Sequence, residues 1–419
     1  MGAQPVTDFP ALKIQLHWLV DHPCALLNRD DNGNPKGLTV GGVRRHRASD
    51  AALKHAWRHA AGDMALTSGY ERSTYSRVLL RREVGDALVQ AGYPAERIVA
   101  VCEPFLKVLV GANDSLKKPG GTDPLKFLER REGVRLGPRE VQEIRRQVQA
   151  ILDANPQADR KGLTKAAAEH VKDTRDNLAR MIDAAGADAA LFGRYTTGNL
   201  AQRMDSALHL GHLLTVHEAV TETDYKAVVD DLLGIAELGH PGAANLDEPR
   251  LAGGIFYGYL SLDVATLIAN TTGASPENLA DADPECAAVL AERLIHLAAS
   301  VAPRARQTQT ASHASADVLL LEVTQTTPRN MMKAFTEPCR PTIADAADQL
   351  ARGIEQDDRI HGRRALRALA STTPCPVPEA RTMTRADLAA TAGQAIREAR
   401  QVAGALPAPT GTPQRLWAA

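Results

Sequence analysis

The sequence predicts an α+β fold, read as one domain interrupted by insertions. Three observations predict it. Apolar runs of strand length open the chain, a long block of helical periodicity follows, and strand periodicity returns behind it. The regular strand-helix alternation of a doubly wound parallel sheet is absent. The 419 residues are 44% hydrophobic and 24% charged. That is enough for a sizeable core without disulfide staples, and it excludes wholesale disorder, collagen and fibrous coiled coil.

The run ALKIQLHWLV (11–20) is short, apolar and ended by Asp21-His22-Pro23, so it reads as a buried strand. LNRDDNGNPKG (27–37) reads as an ordered loop, and LTVGGVRRHR (38–47) as a hairpin about Gly41-Gly42. Residues 50–62 read as a helix with Asp50 as N-cap and Gly62 as stop. Leu53, Ala56, Trp57 and Ala60 form its buried stripe, while Lys54 and Arg58 share another face. From about 66 to 190 the pattern is helical almost throughout, with one Lys/Gly/Pro loop at 113–124. In 207–217 Leu208, Leu210, Leu214 and Val216 alternate as on a strand, and GIFYGYLSL (254–262) is a second strand rich in aromatics. Between them, 218–253 turns from acidic to Gly/Pro/Asn-rich and reads as a protrusion. Helices are expected at 286–301, 342–360 and 383–403, a strand at 317–323 and a Pro-rich link at 373–379.

The formal net charge is -1, from 49 Lys+Arg against 50 Asp+Glu. A nucleic-acid site must therefore be a local basic patch. Five scattered cysteines with no CxxC pair exclude a zinc ribbon or thioredoxin motif and fit a reducing, cytoplasmic setting. The N-terminus lacks the features of a secretory signal, and no apolar run approaches membrane-spanning length.

The window 36–58 is the most informative. Lys36, Arg44, Arg45, Arg47, Lys54 and Arg58 face only Asp50 there. Arginine forks, a nearby helix N-terminus and two adjacent glycines suit a phosphate backbone. A solvated basic face explains the same composition equally well. Enzyme signals are weak. Asp30-Asp31 suits a turn better than a metal. His55 and His59 stand i,i+4 without the intervening Glu of a zinc protease motif, and His209, His212 and His217 alternate faces of one strand. No Walker, GxSxG or GxGxxG motif is present. The aromatics of IFYGY suit core packing better than base stacking. Catalytic residues, metal and cofactor are all expected to be absent.

The run LNRDDNGNPKGLTVGGVRRHRASDAALKHAWR (27–58) resembles the N-terminal signature of the CasC-type backbone subunit of type I-E CRISPR Cascade. In that pattern LNRDD is followed by a lysine, GG, a basic triplet, then SSQSLKRA and a basic residue. FGRYTTG (192–198), TVHEAV (215–220), TDYKAVVDDL (223–232), GIFYGY (254–259) and PRARQTQTAS (303–312) match in register, so the resemblance covers roughly 10–335.

The resemblance implies a modified RRM-like (ferredoxin-like) palm with a large helical fingers insertion and a protruding thumb hairpin. On that reading 1–65, 191–217 and 254–372 form the palm, the last stretch with C-terminal helices. Residues 66–190 form the fingers, 218–253 the thumb, and 373–419 a Pro-rich link and helical tail. It implies a non-catalytic subunit that lines up in copies along CRISPR RNA and presents the guide to a target DNA strand. Its other partners would be the large, small and guide-end-capping subunits of Cascade, with no membrane involved. An RNA-processing endonuclease of the same superfamily, using a His as general acid/base, is the alternative; a scaffold without nucleic acid is a third reading.

Carried over residue by residue, Asn28, Arg29, Lys36, Ser49, Lys54 and Arg58 fall on positions that contact RNA or support its groove, beside the basic Arg44, Arg45 and Arg47. Tyr195 stands where the family has a wedge next to a displaced nucleotide. Tyr225 and Lys226 stand in the thumb, with Lys226 replacing an aromatic. Ser49-Asp50-Ala51-Ala52 replaces SSQS, and His55 replaces an arginine. These departures bear on RNA contact and not on the fold.

Overall fold

In a computed structural model of the chain, the structure describes residues 10–110, 123–130, 133–179, 185–194, 204–224, 226–229, 243–247, 250–303 and 307–406. It divides into two compact units. Among the described residues, one comprises Pro10–Ala65, His209–Leu262 and 288–406; the other comprises those of Leu66–Leu208 and Asp263–Ala287.

The first unit is built on a mixed sheet. Its elements are β1 (Lys13–His22), β2 (Gly37–Val40), β3 (Val43–Ala48), α1 (Asp50–Arg58), β4 (Leu213–Thr215), β5 (Gly254–Asp263), α2 (Glu285–Ser300), β6 (Val318–Thr324), α3 (Ile343–His361), β7 (Ala365–Ser371), β8 (Arg381–Thr382) and α4 (Arg385–Arg397). The strand order is β8-β7-β6-β1-β5-β4-β3-β2. Within it, β1-α1-β4-β5-α2-β6 is a βαββαβ path with sheet order β6-β1-β5-β4, the expected RRM-like arrangement.

Strand alternation sorts the two faces of β1. Ile14, Leu16, Trp18 and Val20 are buried on one side, where the Trp18 and Trp57 rings stand 6.4 Å apart and the Trp57 indole donates to the Val301 carbonyl at 3.0 Å. Gly258 is required there, because a Cβ would enter the Trp18 ring. On the other side Leu19, Tyr257, Tyr259 and Leu320 pack with Phe335 and with Ala347, Leu350 and Ile354 of α3. Tyr257 and Tyr259 are therefore core, covered by a helix, and Phe256 is buried on the opposite face of the sheet. A polar relay crosses this covered face. The Tyr257 hydroxyl lies 2.8 Å from His17 Nδ1, His17 Nε2 lies 3.3 Å from Glu322, and Arg367 joins Glu322 to Asp358. Burial opposes ionisation of Glu322, but the His17 hydrogen bond and the Arg367 charge prevail and hold its pKa at about 2.

Several sequence expectations are corrected. Ser49, not Asp50, caps α1, accepting from the Ala52 amide at 3.2 Å, and the helix ends at Arg58, short of Gly62. The strand expected over 207–217 is broken at Gly211-His212 into Leu208–Leu210 and β4. The Pro-rich stretch 373–379 is more than a link, since Cys375 and Val377 are buried and it leads into β8, which pairs parallel with β7. The stretch between β4 and β5 has two short antiparallel ladders outside the main sheet, Glu222–Thr223 with Arg250–Leu251 and Lys226–Val229 with Ala243–Asp247.

The second unit is mainly helical. Ala95–Val110, Pro138–Ala154 and Arg160–Ala179 enclose a core that includes Val101, Phe105, Ile144, Val148 and Leu163. Pro104 lacks the amide that would reach Ala100, and the Thr164 hydroxyl donates to that carbonyl instead, at 3.1 Å. A three-residue ladder, Thr74–Ser76 with Val134–Leu136, interrupts the expected helical run. The loop expected at 113–124 falls almost wholly outside the described residues. Among the described residues no helix is long and apolar enough to cross a membrane.

Candidate nucleic-acid interface

The LNRDDNGNPKG loop folds on its own hydrogen bonds. The Asp30 carboxylate accepts from the Asn32 and Asn34 amides at 3.0 and 2.9 Å, the Asp30 amide donates to the Asn34 carbonyl at 2.8 Å, and Gly33 takes φ +81°. Asp30 is thus a turn former, as its sequence context suggested. The turn returns Lys36 to Asn28: the Lys36 amide donates to the Asn28 carbonyl, and the Arg47 amide donates to the Lys36 carbonyl, each at 2.9 Å. Asn28 Oδ1 then accepts from the Ser49 amide at 3.2 Å. Main-chain hydrogen bonds and the Asn28 side chain therefore bring Asn28, Lys36, Arg47 and Ser49, spread over 22 residues of sequence, into one lip at the start of α1.

Cations decorate this lip. Arg29 and Arg44 are exposed, and Lys36, Arg47, Lys54 and Arg58 are half-buried. Lys54 and Arg58 lie on the side of α1 away from the buried Leu53 and Trp57. Asp50 stands in the first helical turn, 3.6 Å from Lys54 and 3.4 Å from His212. Arg47 Nη1 lies 3.4 Å from the other ring nitrogen of His212. Sequence reasoning missed His212 as a member of this cluster, and no local signal marked it, because its contacts are more than 160 residues distant.

Arg45 departs from the expectation. Its side chain is fully buried and donates to the carbonyls of Phe335 at 2.9 Å and of Thr215 and Thr336 at 3.4 Å. It pins the β2–β3 hairpin to the 335–336 segment and presents nothing to a ligand. Gly41, at the hairpin tip with φ +61°, packs on the same segment, where a Cβ would overlap the Thr336 carbonyl. His46 and His217 are buried too, each with a ring nitrogen 2.8 Å from a carbonyl, of Val220 and Glu218 respectively. Burial lowers the His46 pKa from its ordinary value. His55 and His59 stack with ring centroids 4.2 Å apart on the exposed side of α1. Among the described residues no group of three or more His, Cys, Asp or Glu could hold a metal. Tyr195 and Tyr225 lie outside the described residues. Lys226 is described by its backbone alone, paired with Asp247.

The lip offers many positive charges and a capped helix start. Such an arrangement holds phosphates without reading sequence.

A family model for CT1975-like proteins matches residues 14–399. A chain of a CRISPR RNA-guided surveillance complex in a pre-nicking state has the same fold, with a TM-score of 0.72 at 20% identity over 91% of this chain and 100% of that one. A chain of another CRISPR RNA-guided surveillance complex gives 0.66 at 18% identity, over 91% and 99%. No curated protein matches the sequence.

Proposed function

The chain belongs to the family of CT1975-like Cas proteins, and from that premise we propose that it is a non-catalytic CRISPR RNA-binding subunit of a type I-E Cascade. Copies line up along the guide through the lip of Asn28, Arg29, Lys36, Arg44, Arg47, Ser49, Lys54 and Arg58, leaving the bases free to pair with target DNA. Arg45 acts behind the lip, as the anchor of its hairpin. Residues 1–65, 191–217 and 254–372 serve as palm, 66–190 as fingers and 218–253 as thumb. Tyr195, Tyr225 and Lys226 flank the displaced nucleotide, and the large, small and guide-end-capping subunits complete a cytoplasmic particle.

One observation carries this reading: six cations run from the 28–36 turn through the β2–β3 hairpin and along α1, with Lys36 and Arg47 set beside the helix start by main-chain hydrogen bonds. Guides differ in sequence, so their carrier needs affinity for the backbone alone. The near-neutral net charge suits a protein that stacks on itself. Natively purified protein is expected to carry RNA, read as a 260/280 nm absorbance ratio above that of protein alone that collapses after ribonuclease treatment. A preparation free of RNA that also fails to bind added guide overturns the reading. Cleavage of repeat RNA, abolished by His212→Ala, would instead favour the endonuclease.

A further inference from the structure

We propose that the sheet end next to the lip carries a second phosphate-binding station, formed by Arg329, Lys333, Arg364 and His361, which takes the nucleic-acid backbone as it leaves α1. The inference rests on the RNA-binding reading above and extends it to residues of the 325–364 region that it does not include.

Strand register puts the two places at the same end of the sheet. Ala48, the last residue of β3, pairs with Leu213 at the start of β4. Thr324, the last residue of β6, pairs with Lys13 and Ala365 at the starts of β1 and β7. Between them lies Gly211, whose amide donates to the Tyr259 carbonyl at 2.9 Å and whose Cβ position is 3.4 Å from Asn330 Nδ2. Gly211 precedes His212 of the lip, and Asn330 lines the proposed station. Gln15 fixes the station's near wall, because its Oε1 accepts from the Tyr259 hydroxyl at 2.6 Å and from the Arg329 amide at 2.7 Å.

The station is an open cavity of about 430 Å³. Its charge is arranged in depth. Asp357 is 3% exposed and serves Arg329, Lys333 and, at 3.9 Å, His361. Asp358, the neighbouring carboxylate, is held by both oxygens to Arg367 at 2.6 and 2.8 Å. The groups nearest solvent are cationic: Lys333 is 55% exposed and His361 51%. One buried carboxylate facing two obligate cations and a histidine, with Arg364 beside them, leaves a surplus of positive charge toward the cavity. Arg364 Nε has no hydrogen-bond partner, and the same holds for Arg47 Nε in the lip. Thr326 and Thr327 hydroxyls and the Asn330 amide line the same wall. Arginine forks with hydroxyl and amide donors suit phosphate oxygens and ribose hydroxyls. Continuity with the lip favours an RNA strand over an acidic protein segment.

Full-length protein is titrated with an unstructured RNA oligonucleotide from 50 to 200 mM salt, with Lys333→Gln/Arg364→Gln as the station variant and Lys36→Gln/Lys54→Gln as the lip variant. Two lost phosphate contacts flatten the slope of log affinity against log salt by about 1.4, so the wild type loses about sevenfold more affinity over this range than the station variant. Asn330→Asp retains the oxygen that caps the next turn, accepting from the Met332 amide at 2.8 Å. It adds a negative charge and is expected to weaken binding without loss of folded protein. If the lip variant flattens the slope while both station variants leave it unchanged, the inference fails and the RNA-binding reading stands. If neither flattens it, the RNA-binding reading itself fails. Station variants that reduce self-association of RNA-free protein while leaving RNA binding intact identify an acidic protein segment as the occupant and overturn the inference.

Discussion

Replacing Lys36 and Lys54 together by glutamine tests the lip most directly. Both side chains are half-buried at the rim and neither belongs to the hydrophobic core, so the change in stability should stay within about 0.5 kcal/mol. Six cations, Arg29, Lys36, Arg44, Arg47, Lys54 and Arg58, run from the turn before β2 to the last residue of α1. If each meets one phosphate of a single strand, log affinity falls with log salt at a slope of about −4.2, and raising salt from 50 to 200 mM lowers affinity by about 300-fold. Removing two contacts brings the slope to about −2.8 and the loss to about 50-fold. Filter binding with several unrelated RNA sequences measures both quantities. The same flattening is expected for every sequence, since the lip reads no bases. An unchanged slope, or a change confined to one sequence, would refute the assignment of the lip to the backbone.

Asp50→Asn removes the carboxylate that engages Lys54 and His212. It is expected to tighten RNA binding several-fold at low salt and to leave the salt slope nearly unchanged, because it removes a negative charge beside the phosphates without adding a cation. Gly41→Ala combines a left-handed backbone with overlap on the Thr336 carbonyl, whereas Gly42→Ala meets open space at φ +80°. Thermal melting should show a loss of about 3 kcal/mol for the first and about 1 kcal/mol for the second. Burial depresses the His22 pKa from 6.5 to about 4. Its contribution is complete above about pH 6.5 and fades as pH falls through 4, costing about 3 kcal/mol that a His22→Gln variant should not show in melts between pH 7 and 4. Glu322, depressed from 4.5 to about 2, acts in a lower window. Its stabilisation is full above pH 4.5 and is lost toward pH 2, a limb that Glu322→Gln should flatten in acid unfolding curves.

Local chemistry made the first sixty residues legible. Gly41-Gly42 fixed the hairpin, Leu53 and Trp57 fixed the buried stripe of α1, and Asp30 betrayed its turn by the Asn and Gly around it. What escaped depended on partners far along the chain. Arg45 reads as one more surface cation until carbonyls 170 and 290 residues away enclose it. His212 joins the lip only once β4 pairs with β3. β7, ALRALAS, has no β-branched residue and spaces its two leucines as a helix would, so only the free edge of β6 makes it a strand. The 74–76 and 134–136 ladder is too short to show any period. The tyrosines of β5 were placed on a strand correctly, while their burial required α3, nearly a hundred residues later.

The knitting of Asn28, Lys36 and Arg47 through amides and carbonyls has a practical consequence. The pitch of Lys36 and Arg47 is a property of the peptide chain, so their side chains are interchangeable fittings on a fixed rail. Lysine for arginine, a shortened cation or a photoreactive analogue can be mounted at Lys36 or Arg47 without moving its neighbours. The protein is thereby a chassis on which grip strength can be dialled position by position.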